Sequence, residues 1–312
     1  MQQTIAQKAE FRGVGLHSGA AVRLSILPAP VDHGIVFSRV DLGGVRIPAK
    51  WDLVKPSQLC TLLETDDGVS VSTIEHVMAA LAGLGINNAL IEVNAAEVPI
   101  LDGSSAPFVR GILEAGIRKQ SGAKLRAIRV LRPVEVHHGE GFARLSPADN
   151  LKIDFDIDFT DAAIGKQEKR LDMANGSFVR ELMDSRTFCR LSDVENMQKS
   201  GLALGGTFTN AIVVDGDKVL SPGGLRHSDE PVRHKMLDAM GDLALAGAPL
   251  LARYTGHRAG HAMTNKLLRA LFAAPDAWDW VTLDAEQEQH LPGAGVSEKL
   301  GQTLHLNELA VA

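Results

Sequence analysis

The stretch Arg233-His234-Lys235-Met236-Leu237-Asp238-Ala239-Met240-Gly241-Asp242 carries residue types suited to metal chemistry at helical spacing. On a helix, residues four apart such as His234 and Asp238 project about 40° from each other and sit about 6 Å apart along the axis. An imidazole and a carboxylate at that offset can chelate one ion. Asp242 lies a further turn on, about 12 Å from His234. Metal bonds of about 2 Å cannot span that gap, so Asp242 is better placed to orient another group. The same pattern also suits an exposed helix face with His, Lys and Asp in i,i+4 pairs. A metal site therefore needs partners from elsewhere in the chain.

One partner is offered by Ser72-Thr73-Ile74-Glu75-His76-Val77-Met78. Ser72 and Glu75 fit a capping box at a helix start. His76 then falls in the first turn, where the helix dipole favours the neutral imidazole that a metal requires. His76, His234 and Asp238 together make an N,N,O set, which in a catalytic zinc site leaves a fourth position open for water. Glu75 beside the ligand could take a proton from that water. His261 opens another helix after a Gly-rich stretch, 256–260, and suits a proton or hydrogen-bond donor. Its bland reading is an exposed N-terminal histidine. Asp242 could hold His261 and favour its charged form.

These residues need elements to place them. Strand-like stretches at 4–11, 21–27, 34–39, 59–64 and 69–71 precede the 72–83 helix. Thr65-Asp66-Asp67-Gly68 is a hairpin turn. A strand at 89–93 and a helix ending at Gly116 follow. Strands restart at 126–136, 142–145 and 151–159, with short helices at 178–183 and 194–200. The central helix leads to a strand at 250–254, a helix at 261–271 and a last strand at 278–283. Strands precede helices in both halves, which predicts an α+β fold. The expected division is 1–121, then 125–286, then a loosely ordered tail, 287–312. His76-x-Met78 with Gly83, echoed by His234-x-Met236 with Gly241, hints at a duplication.

The 312 residues are 45% hydrophobic and 22% charged, as expected of a globular protein rather than a disordered one. The net charge of −6 argues against a nonspecific nucleic-acid binder. Only Cys60 and Cys189 are present, so a reducing, cytoplasmic setting is the simpler expectation. No basic region followed by an apolar run opens the chain, and no apolar run approaches about 18 residues, so neither a signal peptide nor a membrane span is expected.

Several blocks, in order, resemble one family. They are Gly13-Val14-Gly15-Leu16-His17, Ser72-Thr73-Ile74-Glu75-His76, Ser185-Arg186-Thr187-Phe188, Leu204-Gly205-Gly206-Thr207-Phe208, Val232-Arg233-His234-Lys235-Met236-Leu237-Asp238, and Gly260-His261-Ala262 with Asn265-Lys266. They resemble the UDP-3-O-acyl-N-acetylglucosamine deacetylases, zinc amidases of the committed step of lipid A biosynthesis in Gram-negative bacteria. The resemblance implies two similar domains, each a β-sheet packed against helices, with the active site in the cleft between them. It implies zinc on His76, His234 and Asp238. It gives Glu75 the role of base, and His261 with Asp242 the role of acid and oxyanion stabiliser. Thr187 would bond the substrate near the metal, and Lys235 and Arg258 would face the sugar and diphosphate.

Phe159 is a further candidate for packing on the nucleotide. Leu16 and Cys60 match family positions near the site; Cys60 reads equally as a buried small hydrophobe. Phe188, Val194, Ala203, Phe208 and Val213 would line a passage for the acyl chain, although by residue type they read as core. His17, His33, His137, His138, His227 and His257 receive no role beyond surface or structure. The expected partner is the UDP-sugar alone, and a monomer is adequate for the chemistry. A nucleotide-sugar binder without catalysis and a hydrolase of another acylated amine are the other readings, separable by acetate release from UDP-linked and free sugars.

Overall fold

The computed structural model describes residues 1–296. The first half runs β1 (Gln3–Ile5), β2 (Ala9–Val14), β3 (Ala21–Pro28), β4 (Ile35–Arg39) and β5 (Val45–Pro48). After the small sheet β6 (Val54–Lys55), β7 (Leu62–Glu64), β8 (Ser70–Ser72) come α1 (Glu75–Gly83), β9 (Ala89–Val93), α2 (Ala106–Ala115) and β10 (Ile117–Lys119). Its main sheet has the order β2-β3-β9-β4-β5. In it β9 lies antiparallel to β3 and parallel to β4.

The second half repeats this plan. It runs β11 (Arg126–Val130), β12 (Val134–His138), β13 (Gly141–Pro147), β14 (Lys152–Asp158) and β15 (Lys166–Asp172). An insert follows: α3 (Ser177–Glu181), β16 (Phe188–Arg190), α4 (Leu191–Lys199), β17 (Ile212–Asp215) and β18 (Lys218–Val219). Then come α5 (Glu230–Leu243), β19 (Leu250–His257), α6 (His261–Phe272), β20 (Trp278–Thr282) and the short α7 (Ala285–Glu288). The path β12-β13-β19 continues through β14 to β15, with β19 antiparallel to β13 and parallel to β14. Order and direction match the first sheet strand for strand. The pair β11 and β20 corresponds to β1 and β10, both antiparallel. The architecture is two similar α+β halves, and the helix–sequence echo marks equivalent positions in them.

Alternation explains the sheets. In β14, Ile153, Phe155 and Ile157 face inward and the acids between them face outward. One buried core runs through both halves, with α1 and α5 packed against each other inside it. α1 is buried nearly all round, as its run of Val, Met, Ala and Leu requires.

Four local expectations are corrected. The strand expected at 4–11 is two strands, because β1 pairs with β10 while β2 pairs with β3. There is no capping box at α1: Ser72 is the last residue of β8, its hydroxyl donates to the Ala96 carbonyl, and the helix begins at Glu75. The loop before α6 is shorter than 256–260, since β19 extends to His257 to pair with Phe142. The tail, as far as Val296, is seated rather than loose: Leu291 and Val296 are buried and Gly293 lies against the backbone of Leu84. Residues 297–312 lie outside the described residues.

Candidate active site

Two helix segments from different halves meet at the site. The start of α1 packs against the middle of α5 so closely that a Cβ on Gly241 would sit 2.1 Å from the Glu75 carbonyl oxygen. Only glycine allows that approach. It brings His76 to face His234 and Asp238. The two imidazoles stand edge to face, with centroids 5.1 Å apart. Asp238 Oδ1 lies 3.3 Å from His234 Nε2 and 3.7 Å from His76 Nε2.

The three donors fit a metal ion. One ligand atom from each lies within 4.8 Å of the others. His234 Nδ1 donates to the Ser185 carbonyl at 3.0 Å, which leaves its Nε2 lone pair aimed at the cluster. Asp238 Oδ1 is buried with no hydrogen-bond partner. Such an orphan costs free energy unless something binds it. Burial, reinforced by the neighbouring His234, pushes His76 down to about 3. Burial likewise lowers His234. Both rings are therefore neutral and able to give a lone pair. Burial opposes charge on Asp238, but His234, Lys235, His261 and His76 outweigh it and hold the carboxyl far below its usual range.

Around this cluster stand Glu75 and His261, the candidate proton-transfer groups. Glu75 Oε2 accepts from the Thr61 amide at 3.0 Å. Its Oε1 lies 3.8 Å from His261 Nε2, which is also 3.8 Å from Asp238 Oδ2. That spacing is beyond a hydrogen bond and leaves room for a reacting atom. His261 Nδ1 bonds Asp242 Oδ2 at 2.8 Å, and the Thr61 hydroxyl donates to Asp242 Oδ1 at 2.5 Å. Burial pushes Glu75 up to about 7, even with His261 beside it. Burial works against an imidazolium at His261, but Asp242, Glu75 and Asp238 more than offset it and raise the ring to about 9. One carboxyl and one imidazole facing the same point thus differ in proton affinity in the order that base and acid require.

A cavity of about 920 Å³ opens from this point. Glu75, His76, His234, Lys235, Asp238, Thr187 and His261 line its polar end. Leu16, Phe159, Phe188, Val194, Ala203, Phe208, Val213 and Arg258 line the rest. Every predicted site residue except Cys60 and Asp242 therefore reaches the cavity. Asp242 stands behind His261, bonded to its Nδ1. Cys60 is buried against Ser57, its thiol pushed up to about 11 by burial and by Glu75. Lys235 donates to Asp238 Oδ2 at 2.9 Å. Arg258 is engaged by Asp158 at 2.6 Å and by Glu140.

Several wall residues went unassigned in the sequence. His17, His138, Thr73 and Lys266 line the cavity, and Thr61 joins Glu75 to Asp242. The block Asn265-Lys266 contained a signal for Lys266. Thr61 stood beside Cys60 in a pair already read as near the site, but its bond to Asp242, 181 positions away, had no signal. Phe208, which by type reads as core, is 46% exposed.

Comparison with known proteins gives one consistent result. The family model described as UDP-3-O-acyl N-acetylglycosamine deacetylase matches residues 2–273. The UDP-3-O-acyl-N-acetylglucosamine deacetylase of Shewanella frigidimarina is 46% identical over 290 residues, covering 92% of this chain and 94% of that protein. The enzyme of the same name from Idiomarina loihiensis is 47% identical over 289 residues, with the same coverage.

Proposed function

Because this chain belongs to the UDP-3-O-acyl N-acetylglycosamine deacetylase family, we propose that it hydrolyses the N-acetyl amide of UDP-3-O-acyl-N-acetylglucosamine, in lipid A biosynthesis. The products are acetate and the free 2-amino sugar. The observation that carries this reading is the convergence of His76, His234 and Asp238 with Glu75 and His261 facing the same point. His76, His234 and Asp238 would hold one zinc ion. When bound, that ion supplies Lewis acidity to the amide carbonyl and lowers the pKa of water.

The protein's own groups do the rest. Glu75 Oε1 takes the proton of the attacking water, while the Thr61 amide fixes its other oxygen. His261 Nε2 gives a proton to the departing amine nitrogen, and its Nδ1–H is held by Asp242. The positive ring and the Thr187 hydroxyl stabilise the oxyanion as it forms. Lys235 keeps Asp238 charged and presents a cation to the sugar. Arg258 would bind the diphosphate, exchanging its bonds to Asp158 and Glu140 for phosphate oxygens. Phe188, Val194, Ala203, Phe208 and Val213 would pack the acyl chain, and Phe159 and Leu16 the rest of the ligand.

The division into 1–121 and 125–286 is proposed as the boundary of the two units, supported by the repeated strand order. No described helix is long and apolar enough to cross a membrane, and the cytoplasm is the proposed place of action. Acetate release from the UDP-linked substrate tests the reading. Glu75→Ala and His261→Ala should each lose about 10²–10⁴-fold in turnover with metal still bound. A near wild-type rate in either variant contradicts its assigned role.

A further inference from the structure

Glu97 lies between β9 and α2, outside the catalytic cluster, and is only 3% exposed. Four neutral donors fill its carboxylate. The amides of His17 and Ser18 donate at 2.8 and 2.9 Å, and the Ser18 hydroxyl at 2.6 Å. The Thr73 hydroxyl donates at 3.0 Å. A buried carboxylate is expensive unless its lone pairs are taken. These four donors come from two segments with different duties.

Thr73 stands two residues before Glu75, at the entrance to α1. Its φ is +57°, a left-handed conformation that a β-branched residue adopts only when held there. It also lines the cavity. The other segment, residues 15–19, carries the lip of the acyl passage. The Leu16 carbonyl accepts from Gly205 N at 3.0 Å and the His17 carbonyl from Leu204 N at 3.2 Å. Contact is so tight that a Cβ on Gly205 would sit 2.2 Å from the Gly15 carbonyl oxygen. Ala203, on that lip, is itself held at φ +55°. Two strained residues from opposite halves of the protein are thus fastened to one carboxylate, directly or through one turn.

We propose that Glu97 is a positioning residue with two separate arms, one that holds the turn at the acyl passage and one that holds the start of the catalytic helix, so that one carboxylate seats the acyl chain and aims the Glu75–His76 pair. The proposal rests on the deacetylase reading for its substrate, but not for its geometry. Each bond should therefore have its own kinetic signature. Thr73→Val cuts only the helix arm; it should lower kcat about tenfold on both UDP-3-O-acyl-N-acetylglucosamine and UDP-N-acetylglucosamine, the worth of one hydrogen bond to a charged group. Ser18→Ala cuts part of the turn arm; it should raise KM about tenfold for the acylated substrate only. Glu97→Gln should do both.

The experiment is steady-state kinetics of the metal-loaded full chain with those two substrates, together with amide hydrogen exchange on the same samples. In Glu97→Gln, exchange should quicken at residues 73–76 and also at 16–18 and 203–206. The proposal is overturned if Thr73→Val and Ser18→Ala give one and the same pattern. It is also overturned if Glu97→Gln keeps wild-type constants, or if exchange quickens in one segment alone. If the wild-type chain releases no acetate, the deacetylase reading fails, and the exchange result still decides whether Glu97 holds both segments.

Discussion

At the scale of single residues, the site depends on giving two groups opposite proton affinities within 3.8 Å. Glu75 sits at about 7 and His261 at about 9. On the proposed mechanism, activity needs Glu75 deprotonated and His261 protonated. The rate should rise with pH as Glu75 loses its proton and fall as His261 loses its own. A dication beside Glu75 favours the carboxylate, so the rising limb of the loaded enzyme should lie below about 7. Burial opposes the imidazolium, and Asp242 is the largest attraction that retains it. Asp242→Asn should therefore move the falling limb to lower pH, and the rising limb in the same direction, because the Asp242 charge also raises Glu75. A pH–rate profile of the variant checks this; an unmoved falling limb would show that His261 is not the acid.

Part of the grouping of these residues was readable because it is local. His234 and Asp238 share a helix face, and Glu75 and His76 are neighbours. What was not readable acts at long range. Ser72 and Glu75 look like a capping box, but Ser72 finds the Ala96 carbonyl and Glu75 finds the Thr61 amide. Distant partners outcompeted the local pair. Glu97 has no motif at all, and only the fold shows its four donors.

At the scale of elements, the crossing of α1 and α5 sets the geometry of the three proposed metal ligands. A methyl group at Gly241 would push the Glu75 backbone away and carry His76 with it. Gly241→Ala should destabilise the fold by about 1–3 kcal/mol, the usual cost of overpacking. It should also weaken metal binding, because one ligand moves relative to the other two. Denaturant unfolding and competition with a chelator measure the two effects separately. Wild-type metal affinity in that variant would mean that the helix contact does not set the site. Helices were the most legible elements, since their apolar spacing is internal to each segment. Strand partners were not, because order and register depend on residues far apart in sequence. The 4–11 stretch reads as one strand and is divided between two sheets.

At the scale of the whole molecule, the two halves repeat one topology and differ in what they insert. The first half contributes β6–β8, which bring Thr61 to Glu75; the second contributes the 177–219 insert, which walls the cavity. The sequence betrayed the duplication only through the two helices, where His, Met and Gly recur at one spacing. The strands kept shape and lost letters, since a sheet face requires only alternation. Metal that bridges both halves should stabilise their union. At about 100-fold excess of free ion over Kd, linkage is worth about 2.7 kcal/mol. Thermal unfolding should therefore shift upward on loading in the wild type and stay unchanged in His76→Ala. An equal shift in both would place the bound ion elsewhere.

The central claim is that His76 and His234, from different halves, share one ion with Asp238. Anomalous diffraction at the zinc edge, on crystals of the loaded protein, tests it most directly. The predicted result is a single strong peak about 2 Å from Nε2 of both histidines and from an Asp238 oxygen. A peak that touches only one of the histidines, or none within the cavity, would contradict it.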